Sequence, residues 1–146
     1  MAEGERERLV IGVSGASGIV YALRALDACK DLGVETHLVV SRAAGLTLAQ
    51  ETNLSPADLA ARADVNYKVA DVGAAIASGS FRTMGMLIAP CSVRTMSEIA
   101  TGVTSSLLTR AADVTLKERR PLVLMVRETP LHLGHLRTMT KLAEMG

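Results

Sequence analysis

The sequence predicts an α/β fold in which helices cover both faces of a mainly parallel sheet. Apolar segments with the length of strands alternate along the chain with segments whose apolar residues recur at helical spacing. Two of the strand-like segments, GMLIA (85–89) and LVLMV (122–126), are apolar throughout, which is typical of parallel strands buried on both faces. A turn of small residues, SGASG (14–18), joins the first strand to the first helix. These observations favour one domain that spans residues 1–146.

In the first half of the chain, predicted strands alternate with helical segments. The strands cover residues 9–14, 35–40 and 66–69, and the helices cover 19–32, 41–51 and a segment that opens at Ser55. Gly33 marks the end of the first helix, because a glycine commonly follows the last helical residue. Ser55 and Pro56 suit the N-cap and the first helical position.

The second half continues the alternation after a run of small residues at 71–80, which is predicted as a short helix or a loop. Strands are predicted at 85–89 and 122–126. Helices are predicted to follow Ser92 as far as about residue 100, and to cover 105–118 and 131–145. The helix at 105–118 ends in basic residues, which the helix dipole favours.

Composition excludes several classes of protein. The net charge is +1, from 16 basic and 15 acidic residues without a basic tract, so nucleic-acid binding is not predicted. Aromatic residues make up 2% of the chain, too few for platforms on which bases stack. The start has no apolar signal region and no segment is long enough to cross a bilayer, so we expect no membrane partner and a cytoplasmic location. Cys29 and Cys91 are then expected to be reduced thiols.

Small and hydroxyl-bearing residues follow the predicted strands at the positions where parallel sheets bind their ligands. These positions are Gly15, Ala16, Ser17 and Gly18 after the first strand, Ser41 and Arg42 after the second, Ser92, Val93, Arg94 and Thr95 after GMLIA, and Arg127 and Glu128 after LVLMV. Backbone N–H groups at helix starts, together with serine hydroxyls, suit a phosphate or another anion. The sequence therefore predicts a site for a phosphorylated ligand at this edge of the sheet.

The glycine spacing favours a mononucleotide over a dinucleotide. Gly12, Gly15 and Gly18 form G-x-x-G-x-x-G, whereas dinucleotide sites carry G-x-G-x-x-G. The second strand ends in Val40 and Ser41, without the acidic residue that binds the ribose of NAD. Both features leave FMN as a candidate. The alternative is a glycine turn that only packs a helix tightly against a strand.

Four segments of the chain carry a resemblance to a known family: SGASG, SRAAGLTLAQET, APCSVRTMS and RAADVTLKERRPLVLMVRETPLHLGHLRTM. They resemble the flavin prenyltransferases of the UbiX/Pad family. The resemblance runs from about residue 8 to residue 146. It implies a Rossmann-like (flavodoxin-like) three-layer αβα fold and an enzyme without a metal. Such enzymes join the dimethylallyl group of dimethylallyl monophosphate to reduced FMN, forming a fourth ring. A UbiD-type decarboxylase then uses the prenylated FMN. Members of the family themselves have older names that describe them as decarboxylases.

The resemblance also implies roles for individual residues. It implies FMN contacts at Gly15, Ala16, Ser17, Ser41, Ser92, Val93, Arg94, Thr95 and Arg127. It implies prenyl-phosphate contacts at Ser78, Gly79, Arg110, Lys117 and Glu128, and catalytic roles, including proton movement, for Ser17, Glu51 and Glu128. It implies a homo-oligomer, such as a dodecamer, with active sites shared between subunits. The apolar fraction of 49% independently favours a subunit interface.

Family members continue past the segment that matches residues 131–146, into a strand and a last helix. That continuation supplies a tyrosine and an arginine that bind the prenyl phosphate. Because neither is present in these 146 residues, we expect them to bind FMN but to transfer the dimethylallyl group poorly.

Several candidates also have purely structural interpretations. Ser17, Ser41 and Ser92 are potential helix caps, Glu51 a solvated surface residue, and Arg127 with Glu128 a surface charge pair. Arg110 is spaced to pair with Asp113, and Lys117, Arg119 and Arg120 suit a helix C-terminus. Cys91 lacks a paired base, and His132 with His135 is a weak metal motif. For the whole chain, the alternatives are an FMN-dependent cysteine decarboxylase of the related flavoprotein family and a non-catalytic flavin carrier.

Overall fold

A five-stranded sheet, parallel throughout, forms the centre of the computed structural model, which describes residues 4–146. Its strands are β1 (Arg8–Val13), β2 (Glu35–Val40), β3 (Val65–Tyr67), β4 (Gly85–Cys91) and β5 (Leu122–Val126). The strand order is β3-β2-β1-β4-β5, so the direction of winding reverses between β1 and β4. Open parallel sheets bind ligands beyond the carboxyl ends of their strands at such a reversal.

Within residues 4–146, six helices and one short 3₁₀ turn accompany the strands, and the last helix follows the last strand. The helices are α1 (Ile19–Asp31), α2 (Arg42–Glu51), α3 (Pro56–Ala61), α4 (Val93–Thr101), α5 (Leu107–Lys117) and α6 (Leu133–Met145), and the 3₁₀ turn is Ala75–Ala77. Of the described helices, the longest have 13 residues, and none is long and apolar enough to cross a membrane.

Alternate residues of the strands point to two separate cores. Ile11 and Val13 of β1 pack with Leu26 of α1 and with apolar residues of α2 and α3. Val10, which precedes Ile11, points to the opposite face and packs in the core formed by α4 and α5, which includes Leu108. The period of two along each strand therefore places one helical layer on each face of the sheet.

The predicted elements are all present; β2 and β5 have the predicted bounds, and the other elements have shifted ends. β4 extends past the predicted 85–89 to Cys91, which pairs with Val126 of β5 after a shift in register. Residues 71–80 form loop and the single 3₁₀ turn, because the small side chains there bury only Ile76. The last helix starts two residues later than predicted, at Leu133, because His132 serves as its N-cap.

Candidate functional site

A groove formed by two adjoining cavities lies at the carboxyl ends of the strands. The cavities have volumes of about 350 and 380 Å³ and share four lining residues, Gly15, Ala43, Ser92 and Arg94. The residues predicted to contact FMN, which follow four different strands or open the helices behind them, all line the groove: Gly15, Ala16, Ser17, Ser41, Ser92, Val93, Arg94, Thr95 and Arg127. Glu128 lines it as well.

A buried serine, Ser14, joins the ends of β1 and β4 beneath this groove. Its hydroxyl donates to the carbonyl of Pro90 at 2.9 Å and accepts from the backbone N–H of Ser92 at 2.8 Å. The N–H of Ser14 donates to the same Pro90 carbonyl at 3.2 Å. Ser14 therefore fixes the spacing of the two loops at the point where the winding reverses. Sequence reasoning treated Ser14 only as the end of a strand.

Ser41 and Ser92 cap the helices that start at the groove. The Ser41 hydroxyl accepts from the N–H of Ala44 at 3.1 Å, and the Ser92 hydroxyl accepts from the N–H of Thr95 at 3.2 Å. The interpretation of both serines as caps is confirmed. Capping does not remove them from the groove, because both side chains also line it.

The glycine turn after β1 has structural requirements of its own. A Cβ atom on Gly15 would lie 2.4 Å from the Cβ of Ala43, so close packing against α2 requires a glycine there. Gly18 has a φ of 114° and is the N-cap of α1, without a capping side chain. The interpretation of Ser17 as the cap of α1 is therefore wrong. Its exposed side chain lies at the groove.

Glu51, the last residue of α2, holds the start of α1. Its carboxylate accepts from the N–H of Gly18 at 3.2 Å and from the N–H of Ile19 at 3.1 Å. A carboxylate suits the N–H groups and the positive end of the dipole at a helix start. Glu51 is therefore more than a solvated surface residue. It does not line either cavity of the groove, but it fixes the loop that carries Ser17.

The residues predicted to bind the prenyl phosphate lie mostly elsewhere. Helix α5 starts at the groove, where Ser106 and Thr109 line it, and runs away from it. Lys117 is the last residue of α5 and precedes the start of β5 by five positions. An α-helix of 11 residues is about 16 Å long. Gly79 contacts Lys117, since a Cβ on Gly79 would lie 2.8 Å from the Lys117 Nζ atom. Ser78, Gly79 and Lys117 therefore lie near the amino ends of the strands.

Arg110 and Lys117 lie on the solvent-facing side of α5. Asp113 lies three residues after Arg110 and four residues before Lys117, so the three side chains share one face of the helix. Most of the other residues of α5 are buried. Arg110 donates to Asp113 at 3.2 Å, so the predicted pair forms. Lys117 hydrogen-bonds Glu118, and this bond lowers the pKa of the Glu118 carboxyl. Glu128 is the one residue of the predicted phosphate set that lies in the groove.

Neither Cys91 nor the pair of His132 and His135 forms a reactive centre. Cys91 is fully buried, and burial raises the pKa of its thiol to about 12, so it is protonated at neutral pH. His132 and His135 cap the start of α6 reciprocally, with their rings stacked 3.5 Å apart. Among residues 4–146, no group of three or more acidic, histidine or cysteine side chains is placed to hold a metal ion.

Four polar residues that line the groove were not predicted from the sequence, namely Glu98, Ser105, Ser106 and Thr109. Ser106 and Thr109 form a capping box at the start of α5. That pattern is visible in the sequence, but it opens a helix that does not directly follow a strand, whereas the predicted ligand-binding positions all do. The start of α5 is held at the groove by a hydrogen bond in which the Ser105 hydroxyl donates to the Glu98 carboxylate of α4 at 3.1 Å.

The flavoprotein family matches residues 2–146 of the chain. The flavin prenyltransferase UbiX of Escherichia coli K12 is 57% identical over 141 residues, which are 96% of this chain and 75% of the relative. The chain belongs to the UbiX family of flavin prenyltransferases. The flavin prenyltransferase UbiX of Thauera aromatica is 58% identical over 139 residues, covering 95% of this chain and 72% of that relative.

Solved structures of UbiX-type proteins share the fold. AnUbiX (PadA1) in complex with FMN and dimethylallyl pyrophosphate superposes with a TM-score of 0.96 at 44% identity, covering 97% of this chain and 76% of that one. A dodecameric FMN-dependent UbiX-like decarboxylase from Escherichia coli O157:H7 gives 0.93 at 46% identity, covering 95% and 76%. The FMN-dependent cysteine decarboxylase TvaF gives 0.77 at 15% identity, with coverages of 96% and 86%, which shows a common fold alone.

Proposed function

We propose that this protein is a flavin prenyltransferase that joins the dimethylallyl group of dimethylallyl monophosphate to reduced FMN. The observation that carries the proposal is the groove at the β1/β4 reversal, which is lined by every residue predicted to contact FMN. Membership of the UbiX family supplies the reaction. Residues 1–146 are assigned to one flavin-binding domain, which carries this groove.

The groove has the chemistry that FMN requires. The N-termini of α2 and α4 and the hydroxyls of Ser41 and Ser92 open onto it, which suits a phosphate. Arg94 and Arg127 add positive charge, and Leu108 contributes apolar surface for a flat ring. When bound in its reduced form, FMN supplies the electron-rich ring that accepts the dimethylallyl group. The volumes of the cavities are in the range of small-molecule sites.

The chain's own residues are assigned to three tasks. Arg127 and Ser17 orient the flavin in the groove. Glu128, half-buried at the end of β5, is placed to move a proton there, and it already accepts a hydrogen bond from the N–H of Thr129 at 3.1 Å. Lys117 and Arg110 stabilise the negative charge that develops on the departing phosphate, and one such contact is worth about 3 kcal/mol in the barrier.

We infer that each complete site takes residues from two copies of the chain. In one copy, Lys117 and Gly79 lie near the amino ends of the strands, whereas Arg127 lies at the carboxyl ends. Arg110 and Lys117 face solvent on α5 and are therefore available to a neighbouring copy. The dodecameric relative supports an assembly in which such contacts form.

An anaerobic assay tests the reaction. The protein is mixed with reduced FMN and dimethylallyl monophosphate, and the released flavin is weighed by mass spectrometry. We expect the flavin to gain one five-carbon unit, slowly with residues 1–146 alone, and Glu128→Gln or Lys117→Ala to reduce this gain strongly. Binding of FMN without any gain in mass would contradict the proposal and favour a flavin carrier. Oxidative decarboxylation of a cysteine peptide instead would favour a cysteine decarboxylase.

Complementation tests whether the site is shared. Lys117→Ala and Arg127→Ala chains are each assayed alone and after co-expression in equal amounts. If one copy supplies Lys117 and another supplies Arg127, roughly a quarter of the sites in a randomly mixed oligomer contain both native residues. We expect the mixture to transfer faster than either variant alone. No recovery in an assembly shown to be mixed would contradict a shared site.

We further propose a UbiD-type decarboxylase as the recipient of the product, because the family's product is a modified flavin that requires a user. A cytoplasmic location is supported by Cys29 and Cys91, which are both free thiols and both buried.

A further inference from the structure

Arg120 holds the loop that contains the predicted phosphate residues Ser78 and Gly79. Its guanidinium donates to the carbonyl of Gly79 at 2.8 Å and to the carbonyl of Phe81 at 3.0 Å. The two acceptors lie 41 and 39 residues away in sequence, so this fork joins distant parts of the chain. A planar guanidinium with two parallel donors fixes both position and orientation, which a single hydrogen bond does not.

We propose that Arg120 is a positioning residue that sets the geometry of the prenyl-phosphate site without contacting the substrate itself. The inference rests on the proposed function, since it concerns the residues that would bind the phosphate. The role at the helix C-terminus that the sequence predicts for Arg120 is incomplete, because its side chain also donates to two loop carbonyls.

The end of α5 directs Arg120 towards the loop. The N–H of Arg119 donates to the carbonyl of Leu116 at 3.0 Å, and the N–H of Arg120 donates to the carbonyl of Thr115 at 2.9 Å. These two bonds form a Schellman motif, in which the residue after the C-cap adopts the left-handed conformation. Arg119 has this conformation, with φ of 55°. The reversal of the chain at Arg119 is what returns Arg120 to the loop.

The clamped loop lies directly against the predicted cation of the phosphate site. A Cβ atom on Gly79 would lie 2.1 Å from Oε1 of Glu118 and 2.8 Å from Nζ of Lys117, so the loop backbone contacts both side chains. The hydroxyls of Ser78 and Ser80 are 2.9 Å apart on this loop. Small displacements of the loop therefore change the distance between its hydroxyls and the Lys117 ammonium.

Phe81 is the second anchor of the loop, and it holds only the far end. Its ring packs edge-on against His37, with centroids 5.2 Å apart, and lies under the guanidinium of Arg8 at 4.6 Å. Without Arg120, this contact keeps Phe81 on the sheet, but the carbonyl of Gly79 loses the only described side-chain donor that holds it. We therefore expect residues 78–80 to move while the fold persists.

The test compares Arg120→Gln and Arg120→Lys with Arg119→Gly as the control. Glutamine removes the fork, lysine keeps the charge and can reach one carbonyl, and glycine at 119 removes a neighbouring charge while favouring the left-handed conformation. For Arg120→Gln we expect KM for dimethylallyl monophosphate to rise at least about tenfold, because misplaced binding groups are costly. We expect the Kd for FMN to stay unchanged, Arg120→Lys to be intermediate, and Arg119→Gly to behave as the native chain.

Hydrogen exchange of the backbone amides at 78–80 gives a readout that does not depend on activity. We expect faster exchange in Arg120→Gln and native exchange in Arg119→Gly. Unchanged exchange in Arg120→Gln, an unchanged KM, or an equal effect of Arg119→Gly would each overturn the positioning role. If the native protein transfers no dimethylallyl group at all, the proposed function fails, and exchange alone still decides whether Arg120 holds the loop.

Discussion

Glu51 illustrates at the residue scale how a side chain serves a helix to which it does not belong. It ends α2 but accepts from two backbone N–H groups at the start of α1. Gly18, the N-cap of α1, offers no side chain for this purpose. A carboxylate that approaches from another helix therefore replaces the usual capping residue, and it holds the loop that ends in Ser17 next to the groove.

Replacing Glu51 with alanine is expected to destabilise the fold by about 1 kcal/mol, the usual cost of losing a helix cap. The free energy of unfolding is measured by urea denaturation. Gln50→Ala, at the neighbouring exposed position, serves as the control and should have little effect. Equal stability of Glu51→Ala and the native chain would show that these hydrogen bonds contribute nothing measurable.

Asp64 is predicted to give stability that depends on pH. Its carboxylate accepts from the N–H of Thr36 at 2.9 Å and pairs with Arg6 at 3.2 Å, and these contacts lower the pKa of Asp64. A lowered folded-state pKa stabilises the protein fully above the unfolded value of about 3.9, and the contribution is lost as the pH falls through the folded value. Asp64→Asn should therefore be less stable than the native chain at pH 7.

The difference between the two should shrink as the pH falls below about 4. Urea unfolding of both proteins at a series of pH values measures it, with Asp31→Asn at the exposed end of α1 as the control. The effect at pH 7 is expected to be small, because the Asp64 side chain is 37% exposed and solvent screens its ion pair. A difference that is constant with pH would contradict the assignment.

At the scale of secondary-structure elements, the groove depends on how the ends of β1 and β4 are joined. These strands lie on either side of the reversal in winding, and their loops carry Gly15 and Ser92 into the groove. Ser14 links the two ends through its hydroxyl and its backbone N–H. The groove is therefore set by a pair of strands that are adjacent in space and distant in sequence.

Ser14→Ala is expected to destabilise the protein by about 1–3 kcal/mol, because the N–H of Ser92 and the carbonyl of Pro90 would lose a buried partner. It should also weaken FMN binding, since the loops after β1 and β4 would lose their link. Urea unfolding and a fluorescence titration with FMN measure the two effects. Ser17→Ala, an exposed position, is the control for stability only. Native stability of Ser14→Ala would show that the link is dispensable.

At the scale of the whole molecule, the residues assigned to the reaction form two sets at opposite ends of the parallel strands. One set surrounds the groove, and the other, around Lys117 and Gly79, lies near the amino ends of the strands. The described surface also exposes large apolar side chains, among them Tyr21, Leu46 and Val123. Both features favour an assembly in which the surface of one copy covers the groove of another.

Light scattering is expected to give an assembly several times the chain mass of 15.4 kDa. Dilution that dissociates the assembly should lower the rate of dimethylallyl transfer per chain, because the Lys117 set would be lost from each groove. FMN binding should persist, because the residues predicted to contact FMN all line the groove of a single copy. Full transfer activity of a 15.4 kDa monomer would contradict the shared site.

The sequence by itself determined the alternation of strands and helices and most of the groove. Strand and helix periodicity is local, so β2 and β5 have the predicted bounds and the other elements differ from prediction mainly at their ends. The groove was predictable because every parallel strand delivers the residue after it to the same edge of the sheet. That rule places Ser17, Ser41, Ser92 and Arg127 together without knowledge of the strand order.

Only the tertiary structure decided which of the remaining candidates meet. The bond from Glu51 to Gly18 spans 33 residues and the fork from Arg120 to Gly79 spans 41, and neither has a local pattern that predicts it. The separation of Lys117 from Arg127 follows from the direction of α5, which starts at the groove and ends near the amino ends of the strands. Lys117 and Arg127 are ten positions apart in sequence. Lys117 precedes β5 and Arg127 follows it, so the full length of this strand separates them.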